Sequence, residues 1–178
     1  MNAQYSSAQL DVFLSHIEEQ RIISTNKFVA LSFITFGLYD VWWQYKVWRF
    51  FKQRQQSDIW PAARALFAIF TVAQLLKEIR VFATAHSVEV NYNAGLLAAG
   101  YIILTFLQRL PDPLWLVSLF AFAFFLSPYN AFTKALLASE NIRVVVQTRY
   151  SNRQLFLLIA FGVLWALFLV GLLLPDEV

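Results

Sequence analysis

The chain has 178 residues, of which 59% are hydrophobic and 14% are charged, with a formal net charge of +3 and no cysteine. Soluble domains average about 25% charged residues, so this chain has too little polar side-chain surface to cover a soluble globule. The composition predicts an integral membrane protein, and the missing cysteines exclude disulfide frameworks, thiolate metal sites and cysteine nucleophiles.

Residues 1–26 are predicted to form an N-terminal amphipathic segment. Leu10, Phe13, Leu14 and Ile17 recur at helical spacing, with polar residues on the other faces. No basic region followed by an apolar stretch and a cleavage site precedes them, so we expect no signal peptide. We expect this helix to lie on the membrane or to fold onto the bundle; the alternative is a docking helix for a partner.

Residues 27–178 are predicted to form a single transmembrane domain. Crossing a bilayer takes about 20 mainly apolar residues, and four stretches qualify. They cover residues 28–45, 94–108, 114–133 and 155–174. The sequence therefore predicts an all-α fold, a polytopic helical bundle with four transmembrane helices and one further helix that does not cross.

Asp40 is the one acid inside a predicted span. A carboxylate at the bilayer centre costs about 2.5–3.5 kcal/mol, so its presence requires a reason. Lys46 follows at the inner interface, and Gln44 lies one helical turn further on the same face as Asp40. We therefore expect Asp40 to be a structural partner of a basic or amide group at this interface; the alternative is an ion or proton role.

The fifth helix, predicted over about residues 61–80, has a shorter apolar stretch than the spans. Its polar side chains form a narrow stripe on a helical wheel. The stripe consists of Arg64, Thr71, Gln74 and Glu78. A helix lying on the membrane surface would show a broad charged face, so we expect a buried or re-entrant helix with a polar seam against other helices; the alternative is the lining of a water-filled cavity.

Pro128 interrupts the third predicted span and predicts a kink, because proline removes a backbone donor. Asn130 follows closely and can satisfy the freed backbone groups. Asn130 therefore joins the candidate residues for a polar seam or a pore lining.

The distribution of basic residues predicts the orientation, because loops on the cytoplasmic side retain lysine and arginine. With four spans and both termini outside, the inner side holds eleven basic residues and the outer side holds Arg21, Lys27 and Arg109. Four inner residues are candidate contacts for anionic lipid head groups. These are Lys46, Arg49, Lys52 and Arg54. Lipid anchoring explains the net positive charge, so no nucleic-acid partner is required.

The sequence lacks the residue patterns of an enzyme. The only histidines are His16 and His86, which cannot supply a three-ligand zinc site, and there is neither a nucleophile elbow nor a phosphate-binding glycine loop. We therefore expect no catalytic residues, no metal and no cofactor.

Two runs carry recognisable motifs. The first, from Lys27 to Trp48, is KFVALSFITFGLYDVWWQYKVW, in which a Lys-Phe start leads to T-F-G-L-Y and then to W-x-Y-K-x-W; the second is PAARALF, directly after Trp60. Together they resemble a family of uncharacterised bacterial inner-membrane proteins, and the stretch from Gly162 to Gly171 adds a looser match. The resemblance implies a bacterial inner membrane and no particular mechanism.

Three functions are compatible with these patterns. The leading hypothesis is a non-enzymatic membrane protein that acts by interaction or assembly, as an accessory subunit or a homo-oligomer. The second is an oligomeric ion channel or small-solute transporter, because a pathway within so few spans requires several copies. The third is a protein that interacts with anionic lipids of the inner leaflet.

Overall fold

The computed structural model describes residues 18–173, and most of this chain is helical. The predicted amphipathic helix with Leu10, Phe13, Leu14 and Ile17 lies outside the described residues, as do residues 174–178. An all-α fold is confirmed for the described part, apart from one pair of three-residue strands.

The described chain contains seven α-helices, which we number together with the strands in chain order. They are β1 (Gln20–Ile22), α1 (Thr25–Ile34), α2 (Leu38–Gln55), α3 (Pro61–Leu66), α4 (Ala68–Ala85), α5 (Ala94–Phe106), α6 (Ala123–Ala138), β2 (Val144–Val146) and α7 (Asn152–Leu173). Two 3₁₀ segments, Leu107–Arg109 and Leu114–Phe122, lie between α5 and α6 and extend these two helices toward each other.

Helices α1 and α2 form a hairpin. Phe36 and Gly37 have positive φ angles of 52° and 82°, which end α1 and reverse the chain. The ring of Phe28 in α1 lies 5.9 Å from that of Tyr39 and 5.6 Å from that of Trp43, so the two helices run antiparallel. The prediction of one continuous span over residues 28–45 is therefore wrong, because the left-handed backbone divides this apolar stretch into two helices.

Helices α3 and α4 are joined by a sharp bend. The helical conformation is interrupted at Phe67, and the Thr71 hydroxyl donates to the Arg64 carbonyl oxygen at 2.6 Å. Residues seven positions apart are about 10 Å apart along a straight helix, so this bond requires a sharp bend. The predicted helix over about residues 61–80 is thus present as two helices that extend to residue 85.

The two strands form a parallel ladder with the register Gln20 to Val144, Arg21 to Val145 and Ile22 to Val146. Strands joined by hydrogen bonds lie on one side of any bilayer that the chain crosses. The sequence placed residues 1–26 outside and residues 134–154 inside. These two placements cannot both hold.

The core of the bundle is aromatic, and α6 links its two halves. Phe125 and Tyr129 of α6 contact Trp43, with ring centroids 5.6 and 5.7 Å away. One helical turn further, Phe132 packs against Phe50, with 5.3 Å between ring centroids. Aromatic pairs of this kind contribute beyond their buried area, so these contacts fix the α1–α2 hairpin against α6.

Two helices in the described residues are long and apolar enough to cross a membrane. They are Leu114–Ala138, which combines a 3₁₀ segment with α6, and Asn152–Gly171 within α7; Ala94–Arg109 is a shorter apolar helix. Only 6% of the Asn152–Gly171 segment is buried, against 39% of Leu114–Ala138. Helix α7 is therefore attached to the edge of the bundle.

Candidate functional site

The most site-like feature of the described chain is a cleft of about 760 Å³ with several cationic side chains. Its walls come from β1, from the turn between α1 and α2, from one face of α2 and from the first turn of α7. The lining includes Arg21, Leu38, Tyr39, Trp42, Lys46, Ser151, Asn152, Arg153, Gln154 and Leu157. The cleft thus combines charged groups with apolar and aromatic surface.

Lys46 is the central cation of this cleft. Its ammonium donates to the Arg21 carbonyl oxygen at 3.2 Å and lies 5.0 Å from the ring centroid of Trp42. Burial lowers the pKa of Lys46, and the nearby positive charge of Arg21 lowers it further, whereas the charge of the Glu18 carboxylate acts in the opposite direction. Within residues 18–173, no carboxylate lies within 4.0 Å of the charged groups of Lys46 or Arg153, whereas Arg21 pairs with Glu19 at 3.2 Å. An anion in the cleft would relieve this excess of positive charge.

The first turn of α7 adds a partial positive charge. Ser151 and Gln154 form a capping box, in which the Ser151 N–H donates to Gln154 Oε1 at 2.9 Å and the Gln154 N–H donates to Ser151 Oγ at 3.3 Å. The N–H groups of Asn152 and Arg153 are too early in the helix to have an intrahelical acceptor. Because both residues line the cleft, the positive end of the helix dipole is directed into it.

The four lipid contacts predicted from the sequence occupy different surroundings along α2. Lys46 lines the cleft, whereas Arg49 pairs with Glu18 and lines an open groove together with Lys52. Arg54 lies with its guanidinium 4.4 Å from the ring centroid of Phe82, and burial lowers its pKa. The structure therefore brings only one of the four into the cleft.

Sequence reasoning missed the other two cations of the cleft. Arg21 was placed on the opposite side of the membrane from Lys46, and Arg153 was treated as an ordinary loop residue. The β1–β2 ladder and the α1–α2 hairpin bring both beside Lys46. The run Val144–Val146 was an available signal, because three consecutive β-branched residues favour a strand.

The predicted polar stripe finds its partners within α2, α3 and α4. Gln74 accepts from Arg64 at 3.1 Å, and the Arg64 guanidinium lies 4.4 Å from the ring centroid of Trp48. Glu78 accepts from Gln55 at 2.9 Å. The stripe is therefore divided between two separate contacts, and the Gln74 side chain is exposed on the described chain.

Asp40 is 3% exposed and accepts a hydrogen bond from Ser32 of α1. Gln44 is fully buried, and neither atom of its amide has a hydrogen-bond partner among the described residues. The expected bond between Asp40 and a basic or amide group is not formed; a hydroxyl across the hairpin takes its place. Eight residues cover about 12 Å along a straight helix, so only the hairpin brings Ser32 and Asp40 together.

Asn130 lies near the opposite end of α1, where its side-chain oxygen accepts from the Thr25 hydroxyl at 2.6 Å. Pro128 is buried inside α6, which continues through it from Ala123 to Ala138, and the predicted kink stays a prediction. The bond from Thr25 ties α6 to the start of α1, so Asn130 serves the packing of these two helices rather than the cleft.

Residues 18–173 contain no group of three or more histidine, aspartate or glutamate side chains that could hold a metal ion. No protein-family model, curated protein or solved structure matches the chain. The resemblance to uncharacterised bacterial inner-membrane proteins therefore stays a prediction.

Proposed function

We propose that the chain is an integral membrane protein with three crossing helices and two hairpins that enter and leave on the inner side. The crossing segments are residues 94–109, 114–138 and 152–173, and the hairpins are α1–α2 and α3–α4. This arrangement replaces the four-span topology, which requires residues 28–45 to form one helix. The resemblance described above implies a bacterial inner membrane as its location.

The distribution of charge supports this topology. When β1 and the α1–α2 hairpin belong to the inner side, thirteen of the fourteen lysine and arginine residues are on that side and only Arg109 is outside. The four-span topology places eleven lysine and arginine residues inside and three outside. Because basic residues mark the cytoplasmic side, the three-span topology fits the sequence better. It places the N-terminus inside and the C-terminus outside.

Within this membrane, the function that the geometry supports best is non-enzymatic binding of an anionic lipid head group in the cleft. The observation that carries this proposal is the pair of cations Lys46 and Arg153, which face the cleft without a carboxylate partner in residues 18–173, beside the first turn of α7. Leu155, Phe156 and Ile159 of α7 are exposed next to the cleft and provide apolar surface for acyl chains.

Native mass spectrometry in mild detergent tests this proposal, with phosphatidylglycerol and phosphatidylcholine offered in equal amounts. We expect selective retention of phosphatidylglycerol. Lys46→Gln and Arg153→Gln should each weaken retention about fivefold, since a basic residue near the surface contributes about 1 kcal/mol. Lys134→Gln is the matched control, because it removes the same charge from an exposed residue outside the cleft. Equal losses in all three variants would contradict a specific cleft.

Assembly through α7 is a second candidate function, favoured by the observation that only 6% of its apolar segment is buried. A second copy or another membrane helix would cover the side that faces away from α1. The particle mass in mild detergent distinguishes a monomer from an assembly formed through α7. A monomeric mass at all protein concentrations, with no bound partner, would contradict assembly.

A further inference from the structure

The tip of the α1–α2 hairpin lies deep in the membrane if the proposed topology holds, and the inference below rests on that part of the proposed function. The Trp165 indole N–H of α7 donates to the Ile34 carbonyl oxygen at 3.0 Å, and its ring stacks on Phe36 at 4.7 Å. Trp165 is thirteen residues after Asn152, which is about 20 Å along a helix. Asp40 follows the tip by about one helical turn. Asp40 is therefore near the middle of a hydrocarbon core about 30 Å thick.

Asp40 has little to stabilise a negative charge in this conformation. Its carboxyl group is buried, and its hydrogen-bond partner within residues 18–173 is the Ser32 hydroxyl of α1. Within residues 18–173, no lysine or arginine nitrogen lies within 4.0 Å of its oxygens. The cations Arg21, Lys46 and Arg153 line the cleft, and Asp40 does not. The buried carboxylate therefore requires one positive charge to neutralise it. A bound proton supplies this charge and needs no cavity in the protein.

A buried amide without a hydrogen-bond partner and a tyrosine hydroxyl lie beside the acid. Gln44 is one helical turn from Asp40 on the same face of α2, fully buried, and both of its amide atoms lack a partner in the described chain. Tyr101 of α5 reaches this cluster next to Gln44 and Asp40. The amide N–H and the phenol O–H are donors that a carboxylate can accept and that a neutral acid does not require.

We propose that Asp40 is a reversible proton-binding site in the membrane-embedded part of the hairpin. The neutral carboxylic acid bonds to Ser32 in the conformation described here. When its O–H bond breaks, the proton passes to water on the inner side, and the carboxylate that remains accepts hydrogen bonds from the Gln44 amide and the Tyr101 hydroxyl. The proposal assigns a role to Gln44, which the packing of the bundle does not explain.

The other titratable groups that face this cluster are tyrosines. Tyr39 comes from α2 itself, Tyr101 from α5 and Tyr129 from α6, where the Tyr129 hydroxyl donates to the Ile23 carbonyl oxygen at 2.6 Å. Helix α1 contributes the hydroxyl of Ser32, and α7 contributes Gln154 beside Tyr39. A spectral change that depends on Asp40 between pH 5 and pH 9 therefore cannot come from a second carboxylate or a histidine among these neighbours.

Infrared spectroscopy of the full chain in nanodiscs tests the proposal, by subtracting the spectrum of Asp40→Asn from that of the unaltered protein between pH 5 and pH 9. We expect the difference to contain the carbonyl band of a protonated carboxylic acid, replaced by carboxylate bands as the pH rises. Glu18→Gln is the control, because Glu18 is an exposed carboxylate and its difference spectrum should show only carboxylate at neutral pH.

Gln44→Leu gives the second readout. The carboxylate loses one donor in this variant, so the pH at which half of the acid is deprotonated should rise by about one unit or more.

A carboxylate band for Asp40 throughout the range from pH 5 to pH 9 would overturn the proposal. So would a carboxylate that persists in sodium buffer and becomes protonated only when choline replaces sodium, because a metal cation would then be the occupant. Neither outcome depends on lipid retention by the cleft, so failure of this proposal is distinguishable from failure of lipid binding.

Discussion

The α1–α2 hairpin and the bent α3–α4 segment, which we propose to be a second hairpin, bury different faces. The α1–α2 hairpin turns at Gly37 and encloses its polar residues, with Ser32 and Gln44 fully buried. The α3–α4 hairpin turns at Phe67 and exposes large apolar side chains at its tip, where Phe67 is 62% and Phe70 is 82% exposed. The first hairpin is therefore a part of the core, whereas the second presents an apolar tip outward.

This difference shows why apolar composition alone does not define a membrane span. Both hairpins consist of apolar stretches between basic residues, and both satisfy their backbone groups by helical bonds on either side of a bend. The polar side chains make the distinction: the first hairpin places them inside the bundle, and the second places Arg64 and Gln74 at its surface.

Labelling of single cysteines gives an all-or-none test of the hairpin topology in a chain without native cysteine. Cysteines replacing Glu18, Asp58 and Asp112, all exposed, are treated from outside with a membrane-impermeant thiol reagent. We expect labelling at position 112 and protection at positions 18 and 58, because both hairpins return to the inner side. Labelling at position 18 with protection at position 58 would restore the four-span topology.

The approximate positions of the apolar stretches could be predicted from the sequence, because each is long enough to be recognised. The number of helices could not, since the predicted first span and the predicted fifth helix are each divided into two helices. The hairpin at Gly37 could not, because hydropathy does not depend on the sign of φ. Glycine within the predicted first span was the available signal, since it is the residue that adopts positive φ without steric cost.

The candidate site could be predicted only in part, because it combines residues that are distant in the sequence. Lys46 was identified as a basic residue at the inner end of the first predicted span. Arg21 and Arg153 join it through a ladder of two three-residue strands, which is too short to be recognised by periodicity. The need of Asp40 for a polar partner was predicted, but the identity of that partner depends on the fold of the hairpin.

Truncation of a core ring in the first hairpin should have a much larger effect than truncation of a tip ring in the second. Phe28 is fully buried and its ring contacts those of Tyr39, Trp43 and Tyr129. We expect Phe28→Ala to lower the free energy of unfolding by about 3–5 kcal/mol. Phe70→Ala should change it by no more than about 0.5 kcal/mol. Thermal unfolding in mild detergent measures both, and equal losses would show that the two hairpins pack alike.

Gln44→Leu should stabilise the folded state. The variant removes two buried polar atoms that have no partner in the described chain, each of which costs about 1–3 kcal/mol, and it retains a side chain of similar length. We expect the free energy of unfolding to increase by at least about 1 kcal/mol in mild detergent at pH 5, where the neutral acid of Asp40 does not require the amide. A decrease would mean that the Gln44 amide is satisfied in the folded protein.

Alanine substitutions at Gly37 and Gly162 should have opposite effects on the free energy of unfolding. A Cβ at Gly37 would meet Asp40 Oδ2 at 3.8 Å, an ordinary contact, so the cost of Gly37→Ala is the left-handed backbone, about 1–2 kcal/mol. Gly162 in α7 has nothing within 4 Å of the corresponding position, and Gly162→Ala should gain about 0.5–1 kcal/mol through helix propensity. Thermal unfolding of both variants measures the contrast, which disappears if residue 37 adopts a helical φ in the membrane.

Gln74→Leu in the second hairpin should have the smallest effect. It removes the 3.1 Å bond from Arg64, but the Gln74 side chain is exposed and the Arg64 guanidinium keeps its position over the Trp48 ring. We expect the free energy of unfolding to change by about 0.5 kcal/mol or less. Arg64→Met should cost about 0.5–1 kcal/mol, because it also removes the contact between the cation and the ring. A double-mutant cycle in mild detergent isolates the bond between Arg64 and Gln74; a coupling energy above about 1 kcal/mol would show that this pair is shielded from solvent, as in a buried seam or an oligomer interface.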